Sequence, residues 1–180
     1  MGDWSKVRMD NGMSAQPRDA LLTQYLTFGF AGEEYAVHIL AVREIIEYRP
    51  ATVVPGMPTC IKGVLNLRGT IVPVVDLAIK FGLPETGITP RSCLLVMEAD
   101  LDGDSTAIAV IAESVINVLE LAPGDAADPR DFATRVSPNY LAGVVKADDR
   151  FVPILDIDKV LTLEELLNVG AAQRFTKRSA

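Results

Sequence analysis

The sequence is poor in the side chains that carry catalysis and metal binding. Its 180 residues contain one histidine and two cysteines, which excludes a metal site built from several histidines. It has no Cys-x-x-Cys motif and neither standard glycine-rich phosphate loop. A nucleophile pair of Cys60 with His38 is available, but nothing nearby in the sequence activates the thiol. We therefore expect no enzyme, no cofactor and no metal ion.

Long apolar runs and an excess of positive charge are also missing. No apolar run approaches the roughly 20 residues that cross a bilayer, and residues 1–20 lack a hydrophobic signal segment. Lys and Arg number 17 against 24 Asp and Glu, a net charge of −7, which argues against nucleic-acid binding. Cys60 and Cys93 stand alone in apolar runs, as buried reduced thiols do. These features favour a cytoplasmic protein without direct membrane insertion.

Apolar material is plentiful, since hydrophobic residues make up 49% of the chain. Residues 1–21 show no periodicity and predict a flexible N-terminal segment. From Leu22 onwards, short apolar runs alternate with turn signals, a pattern typical of all-β folds. Arg68-Gly69 and Asp102-Gly103 predict hairpin turns. The acidic run at 100–104 is similar to a calcium loop, but its glycine is misplaced and a turn explains it better.

The most informative feature is an internal repeat. A shift of 80 residues lays Pro58–Leu77 on Pro138–Ile157 without a gap, and six positions are identical, where composition predicts about one or two. A shift of 73 aligns Val42 with Val115. The repeat predicts two SH3-like five-stranded β-barrel lobes packed on each other. Lobe 1 is expected at about 22–83 and lobe 2 at about 89–160, within a single domain at 22–168.

One helix is expected after the second lobe, at about 162–169. Thr162 and Glu165 have the spacing of a capping box, and Gly170 is a stop signal. A basic tail at 170–180 follows. Asp76 and Asp156 occupy matching positions after apolar strands, which favours a shared capping role over catalysis.

The loop at 66–70 differs between the copies although the surrounding framework is the same. Its counterpart is 146–150, and drift of the second copy or specialisation of the first explains the difference equally well. Glu44 and Arg68 correspond to Asn117 and Asp148. A charge pair confined to lobe 1 is therefore expected, with the pair orienting the loop for a partner.

Two further predictions come from the repeat. Val42 and Val115 should line corresponding faces of the lobes, with Val42 near a partner surface. Gly63 and Gly143 are retained where the chain enters a strand, so both should be structural, because a side chain there would strain or crowd the backbone.

The chain resembles the CheW-like domain family of chemotaxis coupling proteins over roughly residues 22–165. Asn66-Leu67-Arg68-Gly69 is specific in this setting, whereas Ala36 and Ala109 replace a common glycine. The segments that carry the resemblance are Gln24–Phe28, Glu34–Val37, Val42–Ile45, Ile61–Gly69, Val72–Leu77, Tyr140–Gly143 and Val152–Leu161.

The resemblance implies a non-enzymatic adaptor that couples methyl-accepting chemotaxis receptors to the regulatory domain of the histidine kinase CheA. It implies receptor tips in the groove between lobes, kinase contacts at barrel ends, and a location beside membrane-bound receptor arrays. A scaffold for a non-flagellar receptor–kinase pathway is the alternative. An OB-fold-like binding module would need surface aromatics among basic residues, and aromatics are only 6%. The expected partner-binding residues are Val42, Glu44, Gly63, Asn66, Arg68, Gly69 and Val115.

Overall fold

The computed structural model of the protein describes residues 21–162 and residue 165. The predicted flexible segment at 1–21, except Leu21, the basic tail and most of the expected last helix lie outside the described residues. The strands are β1 (Thr23–Phe30), β2 (Glu33–His38), β3 (Val42–Glu47), β4 (Ile61–Leu67), β5 (Thr70–Val75), β6 (Cys93–Leu101), β7 (Asp104–Ala112), β8 (Ser114–Leu121), β9 (Leu141–Ala147) and β10 (Arg150–Leu155). The helices are α1 (Leu77–Lys80) and α2 (Ile157–Val160), with 3-10 turns at Ile39–Ala41, Pro129–Asp131 and Pro138–Tyr140.

The strands form two five-stranded sheets. Sheet I has the order β8-β1-β2-β10-β9, and sheet II has the order β3-β6-β7-β5-β4. Within each sheet one contact is parallel, β2 with β10 in sheet I and β7 with β5 in sheet II, and the other pairings are antiparallel. The expected all-β class with two five-stranded lobes is confirmed.

The expected lobe boundaries are corrected by the strand order. Sheet II uses the continuous stretch 42–112, whereas sheet I combines 23–38 with 114–155. The first hairpin of each sequence copy therefore pairs with the last three strands of the other copy. The two copies have related strand edges, so a hairpin can pair in the same way with either copy. The internal repeat therefore does not show that the hairpins are exchanged.

The exchange is symmetrical down to the register. Ala36 pairs with Ile154 in sheet I, and Ala109 pairs with Val74 in sheet II. Both alanines are fully buried. Ile154 follows Val74 by the same 80 residues that relate the copies, so the parallel pairing in one sheet is the repeat equivalent of that in the other.

The largest core lies between the sheets. It takes Phe28 and Tyr35 from sheet I and Leu95 and Met97 from sheet II. The intervening Val96 faces a separate core within sheet II, because successive side chains of a strand point to opposite faces. Strand β6 is therefore apolar on both faces, and burial of each large side chain contributes about 2 kcal/mol.

Helices α1 and α2 are capped in the same way. Asp76 Oδ1 accepts a hydrogen bond from Ala78 N–H at 3.0 Å, and Asp156 Oδ1 accepts one from Asp158 N–H at 3.2 Å. Asp76 is fully buried and also accepts from the backbone and hydroxyl of Thr86. The predicted capping role of both aspartates is confirmed.

Part of the expected capping box falls on described residues. Glu165 N–H donates to Thr162 Oγ1 at 3.2 Å. The Glu165 carboxylate also pairs with Lys80 of α1, and both side chains are largely buried. Because α1 follows a strand of sheet II and Glu165 follows the last strand of sheet I, this pair joins the two sheets.

Candidate partner-binding surface

The hairpin between β4 and β5 ends in a two-residue turn, Arg68-Gly69. Leu67 pairs with Thr70 across it, and Arg68 and Gly69 have φ angles of +52° and +84°. Two successive positive φ angles are typical of the tight turns whose twist matches that of the paired strands. Asn66 Oδ1 accepts from Gly69 N–H at 2.9 Å. Asn66 thus stabilises the turn from within and holds Arg68 at its tip.

Arg68 forms the predicted charge pair with Glu44. Its Nη2 lies 2.9 Å from Glu44 Oε2, and its Nη1 lies 3.4 Å from Oε1. The Arg68 side chain is 84% exposed, whereas that of Glu44 is 28% exposed. The partly shielded carboxylate therefore fixes one face of the guanidinium, and the other donors remain open to solvent.

The matching hairpin of sheet I has a different charge. Asp148 takes the place of Arg68, with φ +54°, and lies 3.6 Å from Arg150. Asn117 takes the place of Glu44 and uses its Oδ1 for the neighbouring Val118 N–H. The matching turn position thus carries a cation, Arg68, in sheet II and a carboxylate, Asp148, in sheet I.

Val42 and Val115 occupy equivalent places. Val42 pairs with Met97 on β6, and Val115 pairs with Phe28 on β1. Both valines are half-buried and pack against the core between the sheets. The predicted correspondence of the two positions is confirmed, and each keeps a part of its side chain at the surface.

Gly63 lies inside the fold. It is buried, its φ is +147°, and a Cβ there would stand 2.3 Å from the carbonyl oxygen of Thr52. Val64 forms an isolated bridge with the same Thr52. The structural prediction for Gly63 is therefore confirmed. Its role in partner binding stays a prediction, and because the residue is buried, it would act on a partner through the backbone.

Gly143 is the counterpart in sheet I. A Cβ there would lie 3.0 Å from Ala126 Cβ and 3.3 Å from the Ala127 carbonyl oxygen. In both copies, therefore, a segment that comes earlier in the sequence packs closely against the glycine, and the contact is tighter at Gly63.

A groove of about 590 Å³ lies between the two sheets. Leu40 stands on the 3-10 turn between β2 and β3 at the groove and is 84% exposed. Leu40 thus offers an apolar contact point beside the polar groups of the groove. The carboxylates lining it are Glu98, Asp100, Asp156 and Asp158.

Sequence reasoning missed two features of this region. Leu40 has no distinctive neighbour in the sequence, and only its exposure marks it. Arg43 is the bulged residue of β3 and donates to both oxygens of Glu98 at 2.8 and 2.7 Å. Hydrogen bonds from Ser105 and then Arg43 lower the pKa of Glu98. This contact was missed because the sequence does not show that β3 pairs with β6.

The cysteines are unsuited to nucleophilic chemistry. Burial raises the pKa of the Cys93 thiol to about 11. Burial, and next the nearby Glu165 carboxylate, raises the pKa of Cys60. His38 instead accepts a backbone hydrogen bond from Leu40. A thiol with a raised pKa is a poor nucleophile at neutral pH, so the raised pKa of Cys60 argues against a Cys60–His38 nucleophile pair.

The described residues hold no group of three His, Cys, Asp or Glu side chains placed to bind a metal ion. At the acidic run, Gly103 N–H donates to Asp100 Oδ1 at 2.9 Å, as in a hairpin turn. Within the part of the chain that the structure covers, no helix has the length and apolar character to cross a membrane.

Known proteins match most of the chain. The CheW-like domain family matches residues 24–165. Chemotaxis protein CheW of Bacillus subtilis is 34% identical over 139 residues, covering 77% of this chain and 86% of that protein. CheW of Klebsiella aerogenes is 32% identical over 143 residues, covering 79% and 84%.

A solved structure agrees with the fold. The crystal structure of the scaffolding protein TtCheW from Thermoanaerobacter tengcongensis is 26% identical, with a TM-score of 0.71, and the match covers 80% of this chain and 90% of that one. The chain therefore belongs to the CheW-like domain family, a family of scaffold proteins and not of enzymes.

Proposed function

We propose that the protein is the adaptor that couples methyl-accepting chemotaxis receptors to the histidine kinase CheA. Its membership of a chemotaxis scaffold family supports this role. The observation that carries the proposal is the exposed Arg68, held by Glu44 at the tip of a rigid hairpin. An arginine that is fixed by one carboxylate and open on its other side suits recognition of a second protein.

The two partners are assigned to different surfaces. The groove with Leu40 is the proposed site for a receptor tip, because an exposed apolar side chain and a concave wall favour an inserted helix. The end of sheet II with Asn66, Arg68 and Gly69 is the proposed contact for the regulatory domain of CheA. The adaptor would then sit beside membrane-bound receptor arrays without entering the bilayer.

Reconstitution tests the proposal. Receptor cytoplasmic domains displayed on vesicles are mixed with CheA and this protein, and sedimented kinase and autophosphorylation rate are measured. We expect both to rise several-fold with the protein present, and to fall for Arg68→Ala. The matched control is Arg130→Ala, which removes another exposed arginine that pairs with an aspartate. If the amount of sedimented kinase is the same with and without the protein, the coupling role is refuted.

A further inference from the structure

The groove between the two sheets carries negative charge that the fold neutralises only in part. Of its four carboxylates, Glu98 pairs with Arg43 at 2.7 Å, and Asp156 lies 3.6 Å from Lys159. The other two carboxylates belong to Asp100 and Asp158, and in the described part of the chain neither forms an ion pair with a lysine or an arginine.

These two aspartates are neighbours. Asp158 Oδ1 accepts a hydrogen bond from Asp100 N–H at 2.7 Å, and both residues are exposed. Two carboxylates at close range repel each other, so a positive group that approaches both is favoured. Leu40, 84% exposed, borders the same groove. The groove therefore suits a segment that carries several basic side chains and an apolar one.

The chain itself contains such a segment. The basic tail at 170–180 lies outside the described residues, and its sequence contains Arg174, Lys177 and Arg178 with Phe175 among them. Residues 166–180 contain no Asp or Glu. The segment at 1–20 is no match for the groove, because its three basic residues are balanced by three acidic ones. Charge complementarity thus selects the C-terminal segment as the occupant.

The tail is long enough to reach the groove. Seven residues lead from Asp158, which lines the groove, to Glu165, so these two are separated by no more than about 25 Å. Nine residues lead from Glu165 to Arg174, and an extended chain of that length spans about 30 Å. A tethered segment has an effective concentration on the order of millimolar. Several surface ion pairs, each weak alone, therefore suffice to hold it.

We propose that the basic tail docks in the groove of its own chain. Its basic side chains lie at Asp100 and Asp158, and Phe175 packs beside Leu40. The tail then covers the surface that we assign to the receptor tip and competes with it. This consequence rests on the proposed function, whereas the docking itself does not.

Paramagnetic NMR on the full chain tests the docking without a receptor or kinase, so a failure here is distinct from a failure of the proposed function. A nitroxide is attached to Ser179→Cys. Cys60 and Cys93 are only 5% and 3% exposed, so the label goes to the introduced thiol. The relaxation rates of backbone amides are then measured with the nitroxide oxidised and reduced.

The expected result is local. The amides of Leu40, Asp100 and Asp158 should relax several-fold faster than that of Gly32. Gly32 is the reference because it lies in the turn of the β1–β2 hairpin, at the end away from the residues that line the groove. Raising NaCl from about 20 mM to about 500 mM shortens the range of charge interactions and should reduce the excess relaxation at the groove.

Two sets of substitutions make the test specific. Replacing Arg174, Lys177 and Arg178 together by glutamine removes the charge of the tail, and the excess relaxation should be lost. Asp100→Asn with Asp158→Asn keeps an oxygen acceptor at each position and should have the same effect. The matched control is Asp148→Asn, which removes an exposed carboxylate from the turn of sheet I and should leave the excess relaxation unchanged.

Three outcomes would overturn the proposal. The first is equal relaxation of the groove amides and Gly32 in the spin-labelled chain. The second is an excess at the groove that persists in either the tail variant or the groove variant. The third is an excess of the same size when the nitroxide is on one chain and the isotope label on another, because the tail would then dock on a second copy.

Discussion

Arg68 and Glu44 join opposite edges of one sheet: Arg68 Nη2 lies 2.9 Å from Glu44 Oε2. Glu44 belongs to β3 and Arg68 to the turn that follows β4, and these are the two edge strands of sheet II. A contact between the two edges requires the sheet to curl upon itself, as in a small barrel. The pair thus ties together the end of sheet II that we assign to a partner.

Removing this pair should affect binding far more than stability. Arg68 is 84% exposed, so Arg68→Ala should change the free energy of unfolding by no more than about 1 kcal/mol. Binding of CheA should weaken at least about tenfold, a loss typical of an interface arginine. Urea titration and isothermal calorimetry measure the two effects. Asp148→Ala, at the same turn position in sheet I, is the control and should leave both nearly unchanged.

A double-mutant cycle separates orientation from direct contact. If Glu44 acts by orienting Arg68, then Glu44→Ala should weaken binding in the wild type and have little further effect once Arg68 is alanine. Strictly additive losses would show that the two residues act independently. If Arg68→Ala leaves partner binding unchanged, the sequence difference between the loops at 66–70 and 146–150 is drift of the second copy.

The repeat predicts local geometry well because matching residues meet matching constraints. The Arg68-Gly69 turn, the caps at Asp76 and Asp156, and the Glu44–Arg68 pair all follow from aligned positions. The turn and the caps depend on contacts between residues that are close in the sequence. The Glu44–Arg68 pair instead joins the two edge strands of sheet II, and it was expected because the second copy lacks both charges.

The exchange of hairpins could not be predicted in the same way. Ala36 and Ala109 meet equivalent partners whichever copy supplies them, so no residue pattern distinguishes pairing within a copy from pairing between copies. Leu40 and the Arg43–Glu98 contact depend on that exchange, since both arise where β2 passes into β3 beside β6. Turns and caps, which depend on neighbouring residues, could thus be predicted from the sequence, whereas the exchange of hairpins and the contacts that depend on it could not.

Glycine substitutions should show how tightly the fold closes over β4. Gly63→Ala combines a left-handed φ with a Cβ only 2.3 Å from a backbone oxygen, so we expect a loss of about 3 kcal/mol or more. Gly69→Ala is the control, because its φ is +84° but no atom lies within 4 Å. It should cost only about 1 kcal/mol. The free energy of unfolding of both variants is measured by thermal and urea unfolding. If Gly63→Ala loses no more stability than Gly69→Ala, the close approach at Gly63 is contradicted.

The thiol of Cys93 should make the protein sensitive to alkali. Burial raises its pKa from 9.0 to about 11, so the folded state favours the neutral thiol. This contribution is complete below about pH 9 and is lost as the pH rises towards 11. The free energy of unfolding should fall by at most about 1.4 kcal/mol per pH unit from this group. Urea titrations at several pH values measure this free energy. It should decline less steeply with pH in Cys93→Ala than in the wild type, and identical slopes would show that Cys93 is not the group responsible.

Val42 and Val115 offer a matched pair for locating the partner surface. Each is half-buried against the core between the sheets, so Val42→Asp and Val115→Asp should each cost about 1–3 kcal/mol. Only Val42 lies on the strand that carries Glu44, so its substitution should weaken CheA binding more strongly. Calorimetry at a temperature where both variants are folded makes the comparison. Equal binding losses would place the partner surface elsewhere.

The Lys80–Glu165 pair should contribute to holding the two sheets together. Its side chains are only 14% and 19% exposed, and removing one charge leaves the other partly buried and unpaired. Lys80→Met should therefore reduce the free energy of unfolding by roughly 1–3 kcal/mol. The Lys62–Glu85 pair is the control, since its side chains are 35% and 62% exposed, and Lys62→Met should cost no more than about 1 kcal/mol. Because Lys80 follows a strand of sheet II and Glu165 follows a strand of sheet I, its loss should also raise hydrogen exchange at the buried residues between the sheets, such as Leu77 and Val160. A Lys80→Met variant with the stability and exchange pattern of Lys62→Met would show that the sheets are held by their apolar core alone.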